Sequence, residues 1–184
     1  LRSGANIVIT DPFPDSIGLS LGQLEATAVT ISNKHSNHSN WQGVRGDPKV
    51  LSGPGEYEMS GIYVTGLMTP VASGDPLGER NTAYLFDMEN LRLCHLGDVK
   101  VALTTRQVEE LTPVDILFIP AGGACTIEIS QAVDIIRRLE PRIVIPMHYS
   151  IPSLNVELNG LDVFLKEMGI RELQPVSRLS ITAS

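Results

Sequence analysis

Four histidines stand in this chain of 184 residues, and three of them, with one aspartate, fall where a buried strand ends. His35 and His38 lie in the run Ser32-Asn33-Lys34-His35-Ser36-Asn37-His38-Ser39-Asn40. Asp98 follows Leu93-Cys94-His95-Leu96-Gly97, and His148 follows Ile143-Val144-Ile145-Pro146-Met147. Neutral imidazole is a good ligand for zinc, iron and manganese-type sites, and a carboxylate adds negative charge to such a set. Each group alone has a plainer reading: polar loop residues, a Gly-Asp turn, a hydrogen-bonded histidine after a strand. Together they point to one site, because the strands of a sheet bring their ends to a common edge.

The elements that must position these groups follow from pattern. Asn6–Thr10 is a compact apolar strand stopped by Asp11-Pro12, since proline cannot continue a ladder. Ala26–Ile31 is β-branched and apolar, hence a buried strand, and the Ser/Asn-rich histidine run is the loop leaving it. Ser16–Glu25 and Trp41–Lys49 read as connectors. Gly53–Met59 and Ile62–Thr65 form a hairpin through Ser60-Gly61, and Thr69–Arg80 is a long loop. Thr82–Asp87 and Leu91–Leu96 form a second hairpin around Glu89-Asn90. Thr104-x-x-Gln107 is a capping box opening a helix through Leu111. Asp115–Pro120 and Arg142–Met147 are buried strands flanking a helix capped by Ser130, with Ala132, Ile135, Ile136 and Leu139 on one face. Leu161, Phe164, Leu165 and Met168 mark another helix stopped by Gly169, and Val176–Thr182 alternates like a closing strand. Hairpins in the first half and β-α-β alternation in the second suit two sheets packed face to face with helices outside. The hairpins argue against a doubly wound sheet.

Composition narrows the function. The length suits a single domain, 1–184, with a sizeable core. Hydrophobic residues make up 42%, charged residues 19%, and the net charge is −7 with a pI near 5.0. That gives no basic footprint for nucleic acid or an anionic membrane. No apolar run approaches the ~20 residues that span a bilayer, and the N-terminus lacks a signal-peptide pattern. Two cysteines outside any C-x-x-C fit a reducing cytoplasmic compartment. A small-molecule substrate is expected, with a homo-oligomer open. The loops give no substrate-specificity motif.

The chain resembles the metallo-β-lactamase-fold hydrolases, and within them the small prokaryotic Zn-dependent hydrolases of that fold. The resemblance rests on Ile9-Thr10-Asp11-Pro12-Phe13, Thr30-Ile31-Ser32 with the histidine loop, and Gly53-Pro54-Gly55-Glu56-Tyr57-Glu58. It continues through Leu93–Asp98, Ile119-Pro120-Ala121-Gly122-Gly123 and Ile143–Tyr149. It implies an α+β fold, a four-layer αββα sandwich with the metal at one edge of its sheets. It also implies a first strand lying upstream of Leu1.

The family's H-x-H-x-D-H motif falls on Asn33–His38, with Asn33 in place of the first histidine and Asn37 in place of the aspartate. His35 and His38 match, as do Asp98 and His148. A further ligand histidine is expected near Thr69–Ser73, and none occurs there. Asp11 matches a carboxylate that orients a ligand imidazole. One site of the family's pair thus keeps His38, Asp98 and His148, while the other keeps only His35 and a share of Asp98. The expectation is at most one divalent metal (zinc, manganese or iron), activating water against an ester, amide or phosphodiester. Asp98 and His35 would take part in the reaction, His35 as a spare ligand or proton carrier. The alternative is a catalytically silent member that binds a ligand or partner. His95, within a strand, is expected to be packed and hydrogen-bonded.

Overall fold

The computed structural model describes residues 1–59, 61–71 and 80–183. Among them run β1 (Arg2–Ser3), β2 (Asn6–Thr10), β3 (Ala28–Ile31), β4 (Lys49–Ser52), β5 (Gly55–Met59), β6 (Ile62–Met68), β7 (Thr82–Met88) and β8 (Leu91–His95). Then follow α1 (Thr105–Leu111), β9 (Ile116–Pro120), α2 (Ile129–Leu139), β10 (Ile143–Met147) and α3 (Leu161–Glu167). One sheet has the order β1-β2-β3-β4 and the other β10-β9-β8-β7-β6-β5.

Period-two alternation sorts the core into layers. In β7 to β9, Tyr84, Phe86, Leu91, Leu93 and Ile116 point to the first sheet and meet Val8, Ala28 and Leu51. Ala83, Leu85, Cys94, Leu117 and Ile119 point the other way, onto Leu111 of α1, Ala132, Ile135 and Leu139 of α2, and Phe164 of α3. The free face of the first sheet, Val29 and Ile31 with Ile7, Ile9 and Val50, is covered by Leu21, Ala26 and Val44 from connecting segments. The result is the expected α+β sandwich of two facing sheets, with α1, α2 and α3 on the outer face of the second sheet and connecting segments with short 3-10 turns over the outer face of the first.

Two contacts tie the sheets together beside the histidine loop. The buried Tyr84 hydroxyl donates to the Ile31 carbonyl at 2.9 Å and accepts from the Gly53 N–H at 3.0 Å. The Thr82 N–H donates to the Ser32 carbonyl at 2.8 Å. The loop leaving β3 is thus anchored to the second sheet at its first residue.

Several local expectations hold. The hairpin between β7 and β8 turns on Glu89 and Asn90, both at positive φ (51° and 60°), the twist a two-residue turn requires. Thr104 makes its capping box with Gln107. Others are corrected. The hairpins of the first half are present, with β1-β2 and β5 through β8 antiparallel, but β2, β3 and β4 pair in parallel through crossover segments that were not foreseen. β4 itself was unforeseen, because Lys49–Ser52 is too short to show a pattern. Helix α2 starts at Ile129 after Glu128, so Ser130 lies inside its first turn and does not cap it. Residues 176–183 form no strand; Val176 and Leu179 are exposed, and only Ile181 packs on the inter-sheet core. Alternation specifies a face but not a partner edge. Ser60 and most of the expected loop 69–80 lie outside the described residues.

Candidate metal centre

The site is built where β3, β8 and β10 end. After β3, the Ser32 N–H and hydroxyl both donate to the Asp11 carboxylate, the former at 2.7 Å. Asn33 accepts the His35 N–H at 2.9 Å. His35 caps the 3-10 turn Ser36–His38, its Nδ1 accepting the Asn37 N–H at 3.2 Å. This chain of local bonds sets His38 at the turn's end.

After β8, Gly97 adopts φ +62°, and a Cβ there would run into the Ser32 and Asn81 side chains. Only glycine lets the chain pass this close to the histidine loop. Asn81 then holds the next residue: its Oδ1 accepts the Asp98 N–H at 2.9 Å, while its Nδ2 donates to the Leu96 carbonyl at 2.9 Å. After β10, His148 turns back at φ +53°. A Cβ on Gly122 would overlap the His148 carbonyl oxygen, so the Gly122-Gly123 stretch permits close backbone approach at the site.

These three strand ends bring His38, Asp98 and His148 together. One ligand atom from each lies within 4.8 Å of the others. His148 Nδ1 is 3.6 Å from Asp98 Oδ1, and His38 Nε2 is 3.9 Å from Asp98 Oδ2. The two imidazoles meet edge to face with centroids 5.3 Å apart. Asp11 Oδ2 lies 3.4 Å from His38 Nδ1, so the ring has one nitrogen toward Asp11 and the other toward Asp98. His35 stays outside this group: it is exposed, with its ring centroid 6.2 Å from that of His38.

Asp98 Oδ2 accepts from the Asn33 amide at 3.1 Å. Asp98 Oδ1 and His148 Nδ1 are buried with no hydrogen-bond partner among the described residues. Buried polar atoms are ordinarily paired, and two unpaired lone-pair donors facing each other beside a third ligand are what a divalent ion would satisfy. The donor set, two imidazoles and one carboxylate, fits such an ion.

Electrostatics separate the two histidines. Burial lowers the His38 pKa, but the Asp11 contact and charge, with Asp98, outweigh it and hold the group above its ordinary value. Burial also dominates at His148, and with the His38 charge it keeps that imidazole below its ordinary value despite Asp98. Asp11, itself pushed up by burial, is held below the usual carboxylate range by His38, His95 and Ser32.

A cavity of about 480 Å³ opens beside the triad, reached by Asp11, Asn37, His38, His95 and His148 and walled largely by apolar groups such as Phe13, Phe118, Ile145 and Leu154. His95 is packed as expected, but its Nδ1 has no hydrogen-bond partner among the described residues. Burial holds its pKa below the ordinary value.

A family model described as "Beta-lactamase superfamily domain" matches residues 1–148. The chain belongs to this superfamily. A UPF0173 metal-dependent hydrolase of Lysinibacillus sphaericus is 28% identical over 156 residues, 78% of this chain and 66% of that protein. The chain therefore spans just under two thirds of the length of that curated relative. A Thermotoga maritima structure, provisionally described as a Zn-dependent hydrolase of the metallo-beta-lactamase superfamily, is 32% identical with a TM-score of 0.74. The match covers 90% of this chain and 78% of the other. Igni18, a metallo hydrolase of Ignicoccus hospitalis, shares the fold at 18% identity and a TM-score of 0.66, over 95% and 90% of the two chains.

Within this superfamily member, Asp11, Asn33 and Asn37 all lie at the site: Asp11 on His38, Asn33 on Asp98, and Asn37 at the cavity wall. Ser32 and Asn81 were not foreseen. Ser32 bears on Asp11, and Asn81 on the Asp98 backbone. A serine after a strand and an asparagine before one carry no sequence signal of their own; only the pairing of strand ends gives them a role.

Proposed function

We propose that this chain is a metal-dependent hydrolase holding a single divalent ion, zinc, manganese or iron, on His38, Asp98 and His148. The observation that carries the reading is the pair of buried, unpaired atoms, Asp98 Oδ1 and His148 Nδ1, 3.6 Å apart beside His38. An ion there would supply Lewis acidity, lowering the pKa of water toward neutrality and polarising a substrate carbonyl or phosphoryl oxygen. The chain's own residues do the rest. Asp11 fixes the His38 ring so that Nε2 faces Asp98. Burial keeps His148 neutral, the form in which imidazole offers a lone pair. His35, exposed next to the group, is placed to carry protons to and from solvent. The apolar cavity walls exclude water around the reacting bond.

A cytoplasmic setting is part of the proposal, resting on two free cysteines, Cys94 and Cys125; no described helix is long and apolar enough to cross a membrane. So are a small-molecule substrate, no nucleic-acid partner, given the acidic pI near 5.0, and self-association as a homo-oligomer. The second reading, a silent binding module, draws on Asn33 and Asn37 standing where the superfamily motif has ligands. The test is purified protein loaded separately with zinc, manganese and iron, then assayed on chromogenic esters, amides and phosphodiesters beside His148→Ala. Turnover that needs both metal and His148 supports the hydrolase. Tight metal binding without turnover on any class supports the silent module.

A further inference from the structure

Asn33 does more than leave a ligand position empty. It is 5% exposed, and both ends of its amide are engaged. The Oδ1 end accepts the His35 N–H at 2.9 Å, which settles the amide's orientation, because a backbone N–H needs an acceptor. The Nδ2 end must therefore face Asp98, and it donates to Oδ2 at 3.1 Å. A buried carboxylate needs compensation on each oxygen. Here one oxygen is compensated by a neutral donor, and the other, Oδ1, is left unpaired toward His148.

We propose that the Asn33 amide takes the place of a second cation at Asp98, positioning the carboxylate so that it presents one free oxygen to one metal ion. The inference rests on the metal-site reading above and specifies how the site is limited to a single ion. The N–H group supplies the positive end of a dipole where a second ion would sit, and it uses the lone pair that ion would need. His35 cannot replace it as a ligand without giving up its cap, since its Nδ1 receives the Asn37 N–H. Neither Asn33 nor His35 thus directs an uncommitted acceptor atom at Oδ2. Asn33 is a positioning residue, acting through Asp98.

The test titrates Co²⁺ alone into metal-free, full-chain wild type, Asn33→Ala and Asn33→Asp. Stoichiometry is read by calorimetry and by elemental analysis after gel filtration, and coordination by visible d–d absorption. Wild type should bind one ion. Asn33→Ala should still bind one, about tenfold more weakly, as is typical when a partner that orients a ligand is removed. Asn33→Asp turns the donor into a second carboxylate facing Asp98, so it should melt below wild type without metal and take up two ions with it. A merely structural role for Asn33 would not raise the metal count. A folded Asn33→Asp that binds one ion overturns the proposal, as does Asn33→Ala binding within twofold of wild type, or wild type binding two. Should Asn33→Asp fail to fold, the Asn33→Ala affinity decides alone. Wild type taking up no Co²⁺ overturns the metal-site reading itself, and this inference with it.

Discussion

Asp11→Asn isolates the group that holds His38 in place. The Asp11 side chain is 10% exposed and serves three partners: the Ser32 N–H at 2.7 Å, the Ser32 hydroxyl, and His38 Nδ1 at 3.4 Å. An amide keeps one acceptor and offers an NH₂ where only donors face it, so at least one partner loses its bond. Hydrogen bonds to a charged group contribute about 1.5–3 kcal/mol each, and removing one member of a buried pair costs about 3–5 kcal/mol. With partial relaxation in this half-open site, a loss of about 2–4 kcal/mol is expected, a Tm drop of roughly 4–16 °C for a chain this long. The pH dependence has a definite shape in metal-free protein. The Asp11 pKa is depressed in the fold, so its contribution is full above the unfolded value near 3.8 and is lost as pH falls through the folded one. The His38 pKa is raised, so the share due to its charge is present below 6.5 and is lost as pH rises through the folded value. The gap between wild type and Asp11→Asn should therefore peak between about pH 4 and 6.5 and narrow on both sides. Urea unfolding at a series of pH values measures it. A gap below about 0.5 kcal/mol, or one flat from pH 3 to 9, would refute the reasoning.

Other perturbations probe the supports separately. His148→Ala should abolish zinc uptake in equilibrium dialysis, whereas His35→Ala, outside the triad, should weaken it by less than about tenfold. Tyr84→Phe removes the hydroxyl linking Ile31 and Gly53 across the sheets and should cost about 1–3 kcal/mol in urea unfolding, because buried groups are left unpaired. Gly97→Ala combines left-handed strain of about 1–2 kcal/mol with overpacking against Ser32 and Asn81 of about 1–3 kcal/mol. It should lower Tm and zinc affinity together, and a loss of stability with unchanged affinity would separate Gly97 from the site.

Much of the core was legible because each strand from β7 to β10 carries its own pattern. Leu93, Cys94 and Ile116 show their faces by alternation, and Thr104 with Gln107 announces a helix start in adjacent residues. The strand-end groups were legible for a related reason: the His35/His38 loop, Asp98 and His148 each follow a recognisable buried strand, while the choice of His38 over His35 came from the resemblance to the family motif. What the sequence left hidden depends on pairing at a distance. The parallel β4 is set by β3, not by its own four residues. The Asn81 bond to Asp98 crosses 17 positions and the Asn33 bond to Asp98 crosses 65. The alternation of Val176–Thr182 looked like a strand, but no edge accepts it among the described residues. His95 illustrates the same limit: its burial was readable from its strand, while the unpaired Nδ1 depends on which residues surround it.

The most direct test of the account is a crystal of the full chain grown with zinc, with anomalous data collected at the zinc edge. The account predicts one strong peak per chain, bounded by His38, Asp98 and His148, with His35 away from it and the Asn33 amide still on Asp98. No peak between those three side chains, or a pair of peaks flanking Asp98, would contradict it.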